Sequence, residues 1–175
     1  MTIGRESSPE AERLSAELRK STTDALLRRR RVAALSLASA ASMGLITLYQ
    51  MGVVDHLPEP SLPRLDADKV DASGEAYAIL RTPDAALGLL SYAGTAVLAA
   101  AGGADRARRS PWLPLALAAK VGFDALGSAL LTAEQASRHK KFCSWCLLAA
   151  GATAAMVPAV IPEARLAWQN LRGSK

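Results

Sequence analysis

The sequence has little cysteine, few aromatic residues and no second pair of metal-ligating side chains. Two cysteines in 175 residues, Cys143 and Cys146, exclude the framework of a disulfide-stapled secreted domain. His56 and His139 lie far apart and form no ligand pair, so a closed structural zinc site is not expected and we predict no metal. Aromatic residues are only 5% of a chain that is 50% hydrophobic, and alanine supplies much of the apolar content.

Formal charge is absent, or nearly so, from four long stretches. Residues 32–54, 85–104 and 142–161 contain no charged residue, and residues 112–133 contain only Lys120 and Asp124. About 20 helical residues cross a bilayer core, so each stretch is long enough. A soluble alanine-rich bundle should carry charges on its wet faces, and disorder throughout is excluded by the apolar runs. We therefore expect an all-α, four-helix transmembrane bundle. Of the four stretches, residues 112–133 are the least strongly predicted to span the membrane.

The positive charges divide unevenly between the alternate connections. Fourteen of the 21 Lys and Arg residues lie in 1–31, 103–111 and the tail from 162, against six in 55–84 and 134–141. The positive-inside rule predicts that both termini are cytoplasmic, in a multi-pass protein of the cell inner (plasma) membrane. The basic net charge is then a topology signal, and no nucleic-acid partner is expected because no recognised motif accompanies it.

The same pattern predicts three segments. Residues 1–31 are expected to form a cytoplasmic N-terminal tail or short helix, 32–162 a four-span membrane domain and 163–175 a cytoplasmic tail. The arginines at 28–31 before an apolar run resemble a twin-arginine export signal. The run continues far past a cleavage site, which favours an uncleaved first helix.

The one reactive motif is the Cys-x-x-Cys pair at the start of the fourth apolar stretch, on the extracytoplasmic side by this topology. A helix N-terminus, with Arg138, Lys140 and Lys141 just before it, stabilises a thiolate on Cys143. We expect Cys143 to be the more exposed sulfur and Cys146 to lie one turn deeper. From the residues alone the pair is a thiol redox centre, a site that handles metal or persulfide, or two inert apolar side chains.

Two stretches carry a resemblance to a known family. FCSWCLLAA, residues 142–150, opens the last helix and resembles the fourth-helix motif of the vitamin K epoxide reductase family. DASGEAYAILRTPDAALGLLSY, residues 71–92, resembles the entry into that family's second helix. The resemblance covers about residues 30–165, and its matching positions in the second stretch are Ser73, Tyr77, Pro83, Gly88 and Tyr92.

The resemblance implies a membrane enzyme that passes electrons between protein thiols and a quinone, menaquinone or ubiquinone, with a thioredoxin-fold protein as partner. It implies that Cys146 lies nearest the quinone and that Cys143 exchanges with the partner. Ser73 matches a loop serine near the active site. Asp84 stands where animal members place a quinone-binding amide, a role that a protonated carboxyl suits. Trp145 is a further candidate, for stacking on the quinone ring.

The chain departs from the family pattern in one important respect. The typical member of the family carries two further cysteines in the first extracytoplasmic loop, and residues 57–70 contain none. No shuttle of electrons through loop cysteines is then available within the chain. The alternative function is a non-enzymatic or degenerate family member that acts as a membrane binding or assembly subunit.

Lys120 and Asp124 are four residues apart in the third apolar stretch and therefore share a helix face. They form either a neutralising pair turned into the bundle or a proton route.

Overall fold

The computed structural model describes residues 7–173, which form helices and no β-strand. A 3-10 turn (Gly74–Tyr77) precedes the fourth helix, and a π-helical turn (Gln135–His139) continues the sixth. The α-helices of the described residues are α1 (Pro9–Lys20), α2 (Asp24–Gln50), α3 (Ala67–Asp71), α4 (Asp84–Ala100), α5 (Arg106–Arg109), α6 (Trp112–Glu134) and α7 (Ser144–Gly173).

Three of these helices are long and apolar enough to cross a membrane. They are α2, α6 with its π-helical continuation to His139, and α7. The 17 residues of α4 are apolar but reach only about 25 Å at 1.5 Å per residue, short of a hydrocarbon core of about 30 Å. The all-helical prediction is confirmed, with three candidate spans and one shorter apolar helix. Despite Lys120 and Asp124, α6 is among the three.

The bundle is held together by close packing of α2 against α4 and α7, and of α6 against α7. Val32, Leu117 and Met156 are buried at its centre. At Gly88 a side chain on α4 would meet the sulfur of Met43 on α2 at 2.9 Å, so glycine allows this close approach. Large apolar side chains such as Phe123, which is 71% exposed, point outward, as expected of helices surrounded by lipid.

Buried arginines close the end of the bundle opposite the cysteines. The guanidinium of Arg29 donates to the carbonyls of Ala99 and Gly103, and to those between them, at the end of α4. Arg106 makes a two-bond ion pair with Glu163 on α7, both at 2.8 Å. Cationic side chains satisfy the free carbonyls of a helix C-terminus. Two of the positive charges that predicted the topology therefore also stabilise the fold.

The first and last long helices, α2 and α7, extend across the predicted segment boundaries. In α1, Ser8 caps the helix by accepting from the Ala11 amide, and Pro9 occupies the first turn. Glu17 of α1 accepts from the amide of Ala104, which attaches this helix to the loop after α4. The boundary at residue 31 falls inside α2, and α7 runs through the boundary at 162 to Gly173.

Candidate functional site

The two cysteines begin α7. Cys143 immediately precedes the helix and its Sγ accepts a hydrogen bond from the Cys146 amide at 3.2 Å, as an N-capping side chain does. Both thiols are free. The sulfurs are therefore about one helical turn apart at the positive end of the helix dipole, where negative charge on sulfur is stabilised.

The prediction that Cys143 is the more exposed sulfur is wrong. Cys143 is 0% exposed, whereas Cys146 is partly exposed. The reason is the first large loop, which folds over the start of α7. Leu57, Ala67 and Val70 of that loop region belong to the same buried cluster as Cys143.

Several hydrogen bonds attach this loop to the motif around the cysteines. The indole N–H of Trp145 donates to the Pro58 carbonyl at 2.9 Å, and the Lys141 ammonium donates to the Pro63 carbonyl at 2.9 Å. Phe142 donates its amide to the Arg64 carbonyl at 2.8 Å. Trp145 is therefore placed against the loop.

A cavity of about 700 Å³ opens beside Cys146 between the helices. Its wall is mostly apolar, with a few polar side chains, which is typical of a site for a small organic molecule. Ser73 and Asp84, predicted from the resemblance, both line it, while Trp145 and Cys143 are not among the lining residues. The structure thus brings together three of the five predicted site residues, Cys146, Ser73 and Asp84, around one cavity.

A side-chain amide that the sequence did not single out holds one side of this cavity. Gln50, the last residue of α2, donates from Nε2 to Asp84 Oδ1 at 2.8 Å and to the Asp71 carbonyl at 3.2 Å. Its Oε1 accepts from the Ala85 amide at 3.3 Å. An amide therefore does lie beside position 84, but it comes from another helix, and no sequence motif marks it.

Asp71 is the second residue that the sequence did not single out. Asp71 is only 5% exposed and lines the cavity, and its Oδ1 lies 3.7 Å from Cys146 Sγ. Among the described residues Oδ2 has no hydrogen-bond partner. Burial raises the pKa of Asp71 to about 6, although hydrogen bonds from the two thiols oppose this shift. The only sequence signal was its position two residues before Ser73.

The described residues contain one group of three possible metal ligands. Ligand atoms of Asp71, Cys143 and Cys146 lie within 4.8 Å of one another. A closed zinc site needs four donors, and this group has three. The arrangement is better described as a dithiol with an adjacent carboxyl group.

A polar network continues from the cavity into the bundle. Asp124 lines the cavity, pairs with Lys120, and accepts from Ser91 Oγ at 2.8 Å and Thr95 Oγ1 at 2.8 Å. The predicted pairing of Lys120 with Asp124 is confirmed. Three partners satisfy the buried carboxylate, which lets charged groups stay within an apolar helix.

The dithiol at the start of a membrane helix, beside an apolar cavity, defines a helical membrane protein equipped for redox chemistry. The profile of the Vitamin K epoxide reductase family matches residues 31–161, and the chain belongs to that family. Membership implies a membrane oxidoreductase. No curated protein matches the chain.

Proposed function

We propose that this protein is a thiol:quinone oxidoreductase that passes electrons between protein thiols and a membrane quinone through Cys143 and Cys146. The observation that carries the proposal is the position of Cys146. Its side chain lines a cavity large enough for a quinone ring, and its redox partner lies one turn away. Membership of the family indicates redox chemistry, and the cavity is where we expect the quinone, the second substrate, to bind.

The cavity fits a quinone chemically. A quinone has a flat apolar ring and two carbonyl oxygens, so it needs apolar walls and a few hydrogen-bonding groups. Ser73 and Asp84 offer those groups, and Gln50 fixes the orientation of Asp84. The indole of Trp145 donates to the Pro58 carbonyl, so in place of stacking on the quinone we assign it the role of holding the loop over Cys143. Menaquinone and ubiquinone both satisfy these requirements.

The dithiol chemistry proceeds by exchange. A partner thiolate attacks Cys143 of the oxidised pair, a mixed disulfide forms, and Cys146 leaves as the reduced sulfur. A second partner thiol completes the partner's disulfide. The reduced pair then loses two electrons and two protons and closes again. A bound quinone supplies the oxidising power for that closure.

Access to Cys143 requires the loop to move. Residues 57–70 cover Cys143 and contain no cysteine that could relay electrons, so a thioredoxin-fold partner must displace the loop to reach the buried sulfur. A small dithiol needs a smaller opening of the loop to reach Cys143. We expect protein donors to be slower than small dithiols.

The proposed orientation has four spans, both termini in the cytoplasm and the cysteines on the extracytoplasmic side of the cell inner membrane. The charge distribution supports it, with α4 as a short second span. Reporters fused after Gly103 and at the C-terminus should read cytoplasmic. Reporters near Asp66 and His139 should read extracytoplasmic. A cytoplasmic reading at His139 would place the cysteines on the reducing side of the membrane and contradict the proposal.

The proposal is tested by filling the cavity. Gly127 lines it and Gly122 does not, yet both lie on α6 and both have open space where a side chain would begin. Protein purified in detergent should retain extractable quinone in the wild type and in Gly122→Leu, and lose it in Gly127→Leu. Equal quinone content in the two variants would place the quinone elsewhere.

The missing loop cysteines favour one alternative, a membrane binding or assembly subunit without turnover. Such a subunit would keep its fold and partners when both cysteines are replaced. An oxidoreductase would keep the fold but lose the reaction.

A further inference from the structure

We propose that Asp71 is the proton acceptor and donor for the Cys146 thiol, giving up a proton when the Cys143–Cys146 disulfide opens and taking it back when the disulfide closes. This inference deepens the proposed function and rests on the redox activity of the same pair. Asp71 is the first residue of the 71–92 stretch and lies 75 positions before Cys146, and the resemblance assigns it no role.

The first support is geometry. The carboxyl group lies in the loop helix α3, and the thiol lies in α7, yet Asp71 Oδ1 and Cys146 Sγ are 3.7 Å apart. The group lies on the wall of the cavity that Cys146 also lines, so a proton on Asp71 can reach both the sulfur and the bound substrate. No other carboxyl group of the described residues has a hydrogen bond to either cysteine sulfur.

The second support is that no cation neutralises this carboxyl group and that its Oδ2 has no hydrogen-bond partner among the described residues. A buried carboxylate normally pairs with a cation or accepts several hydrogen bonds, because an uncompensated buried charge is costly. Among the described residues no Lys, Arg or His bonds to the Asp71 carboxyl group, and Oδ2 accepts nothing. A buried carboxyl group whose partners are the two thiols, with no cation beside it, is suited to changing its protonation state.

The surroundings of Asp71 favour a proton that is held and released near neutral pH. The titratable groups that act on it are Glu59 of the loop, Asp84 of α4 and the two thiols of α7. Asp71 itself acts on Tyr49 of α2. Burial is the largest cause of the raised pKa, and the neighbouring carboxylates add to it. A pKa of about 6 lies within the range in which a general acid–base group works well.

The step balances as follows. A partner thiolate forms a bond to Cys143 sulfur, the Cys143–Cys146 bond breaks, and the electron pair stays on Cys146. Protonated Asp71 then gives its proton to that sulfur and becomes a carboxylate. Closure starts from a mixed disulfide on Cys143: the carboxylate takes the Cys146 proton back, the Cys146 sulfur attacks the Cys143 sulfur, and the thiolate that was bonded to Cys143 leaves. One disulfide is reduced for each disulfide formed, and the proton count is unchanged.

The test uses full-length reduced protein in detergent and follows closure of the pair from pH 5 to 8. One arm adds a small disulfide, bis(2-hydroxyethyl) disulfide, and the other adds a soluble short-chain quinone. Asp71→Asn should close about 100-fold more slowly in both arms, the scale of a general base. The wild-type rate should rise to a plateau above pH about 6, and Asp71→Asn should show no such inflection. Asp55→Asn removes an exposed loop charge and should behave as the wild type.

Two further variants separate proton transfer from folding. Asp71→Glu keeps a carboxyl group and should retain an inflection, and added formate should restore part of the rate to Asp71→Ala. Asp71→Asn with the rate and pH profile of Asp55→Asn in the disulfide arm would overturn the inference. If the disulfide arm depends on Asp71 but no quinol forms in the wild type, the proposed function fails while the role of Asp71 stands.

Discussion

Gln50 Nε2 lies 2.8 Å from Asp84 Oδ1, so the last residue of α2 holds the first residue of α4, which lines the cavity. The same amide group also bonds to the Asp71 carbonyl. One side chain therefore connects a membrane helix, the loop that carries the buried carboxyl group and the helix expected to meet the quinone. The position of the polar groups on the cavity wall depends on this connection.

Replacing Gln50 should loosen that wall. Gln50→Leu leaves Asp84 without its amide partner, and an unsatisfied buried polar group costs about 1–3 kcal/mol. The free energy of unfolding in detergent should fall by that amount, and the bound quinone should be retained less well. Gln169→Leu is the matched control because Gln169 is exposed on α7. An unchanged quinone content in Gln50→Leu would show that Asp84 needs no support from α2.

Releasing the loop should expose Cys143. Trp145→Phe removes the indole N–H that bonds to Pro58 but keeps an aromatic ring. Because one hydrogen bond contributes about 0.5–1.5 kcal/mol, maleimide labelling of Cys143 should speed up about twofold to tenfold. The measurement is made in a Cys146→Ser background, so that only one thiol reacts.

Trp112→Phe provides the control for this experiment. Trp112 begins α6, is 62% exposed and belongs to another part of the bundle. If both tryptophan variants label Cys143 at the wild-type rate, the bond between Trp145 and Pro58 does not hold the loop over the sulfur.

The raised pKa of Asp71 makes a prediction for stability as a function of pH. Its folded-state pKa, about 6, exceeds the usual 3.8, so the folded protein holds this proton more tightly than the unfolded chain does. As the pH rises from 4 to 6 the unfolded chain ionises first, and folding loses stability. Above pH 6 the penalty is fully present, up to about 3 kcal/mol for two pKa units.

Asp71→Asn should remove that dependence. The variant should gain stability over the wild type at pH 7 and lose this advantage at pH 4, as measured by thermal unfolding in detergent at both values. A gain in stability together with slower disulfide closure would indicate a carboxyl group retained for its reactivity. A stability difference that does not change with pH would contradict the raised pKa.

The sequence predicted the helices well and the site in part. The absence of charge predicted the membrane helices, and the Cys-x-x-Cys motif predicted the start of α7, because both signals are local in the chain. Asp71 could not be chosen over Asp66 and Asp68, since only the folded loop turns it toward Cys146, 75 positions away. The burial of Cys143 was missed for the same reason.

The ion pair at the opposite end of the bundle should matter for stability alone. Glu163→Gln leaves the guanidinium of Arg106, which is 1% exposed, without its carboxylate, and breaking a buried pair in this way costs about 3–5 kcal/mol. Asp105→Asn breaks the exposed pair with Arg109 and should cost at most about 1 kcal/mol. Chemical unfolding in detergent compares the two, and equal losses would mean that the buried pair is worth no more than the exposed one.

The most direct test of the central claim is a single-turnover count of thiols and quinol. Fully reduced protein in detergent is mixed with a soluble short-chain quinone, and free thiols, disulfide and quinol are measured together. The account predicts that two thiols are lost for each quinol formed, that a Cys143–Cys146 disulfide appears, and that Cys143→Ser and Cys146→Ser form no quinol. A protein that binds the quinone while both thiols stay reduced and no quinol forms would contradict it, and would leave the membrane subunit without turnover as the better account.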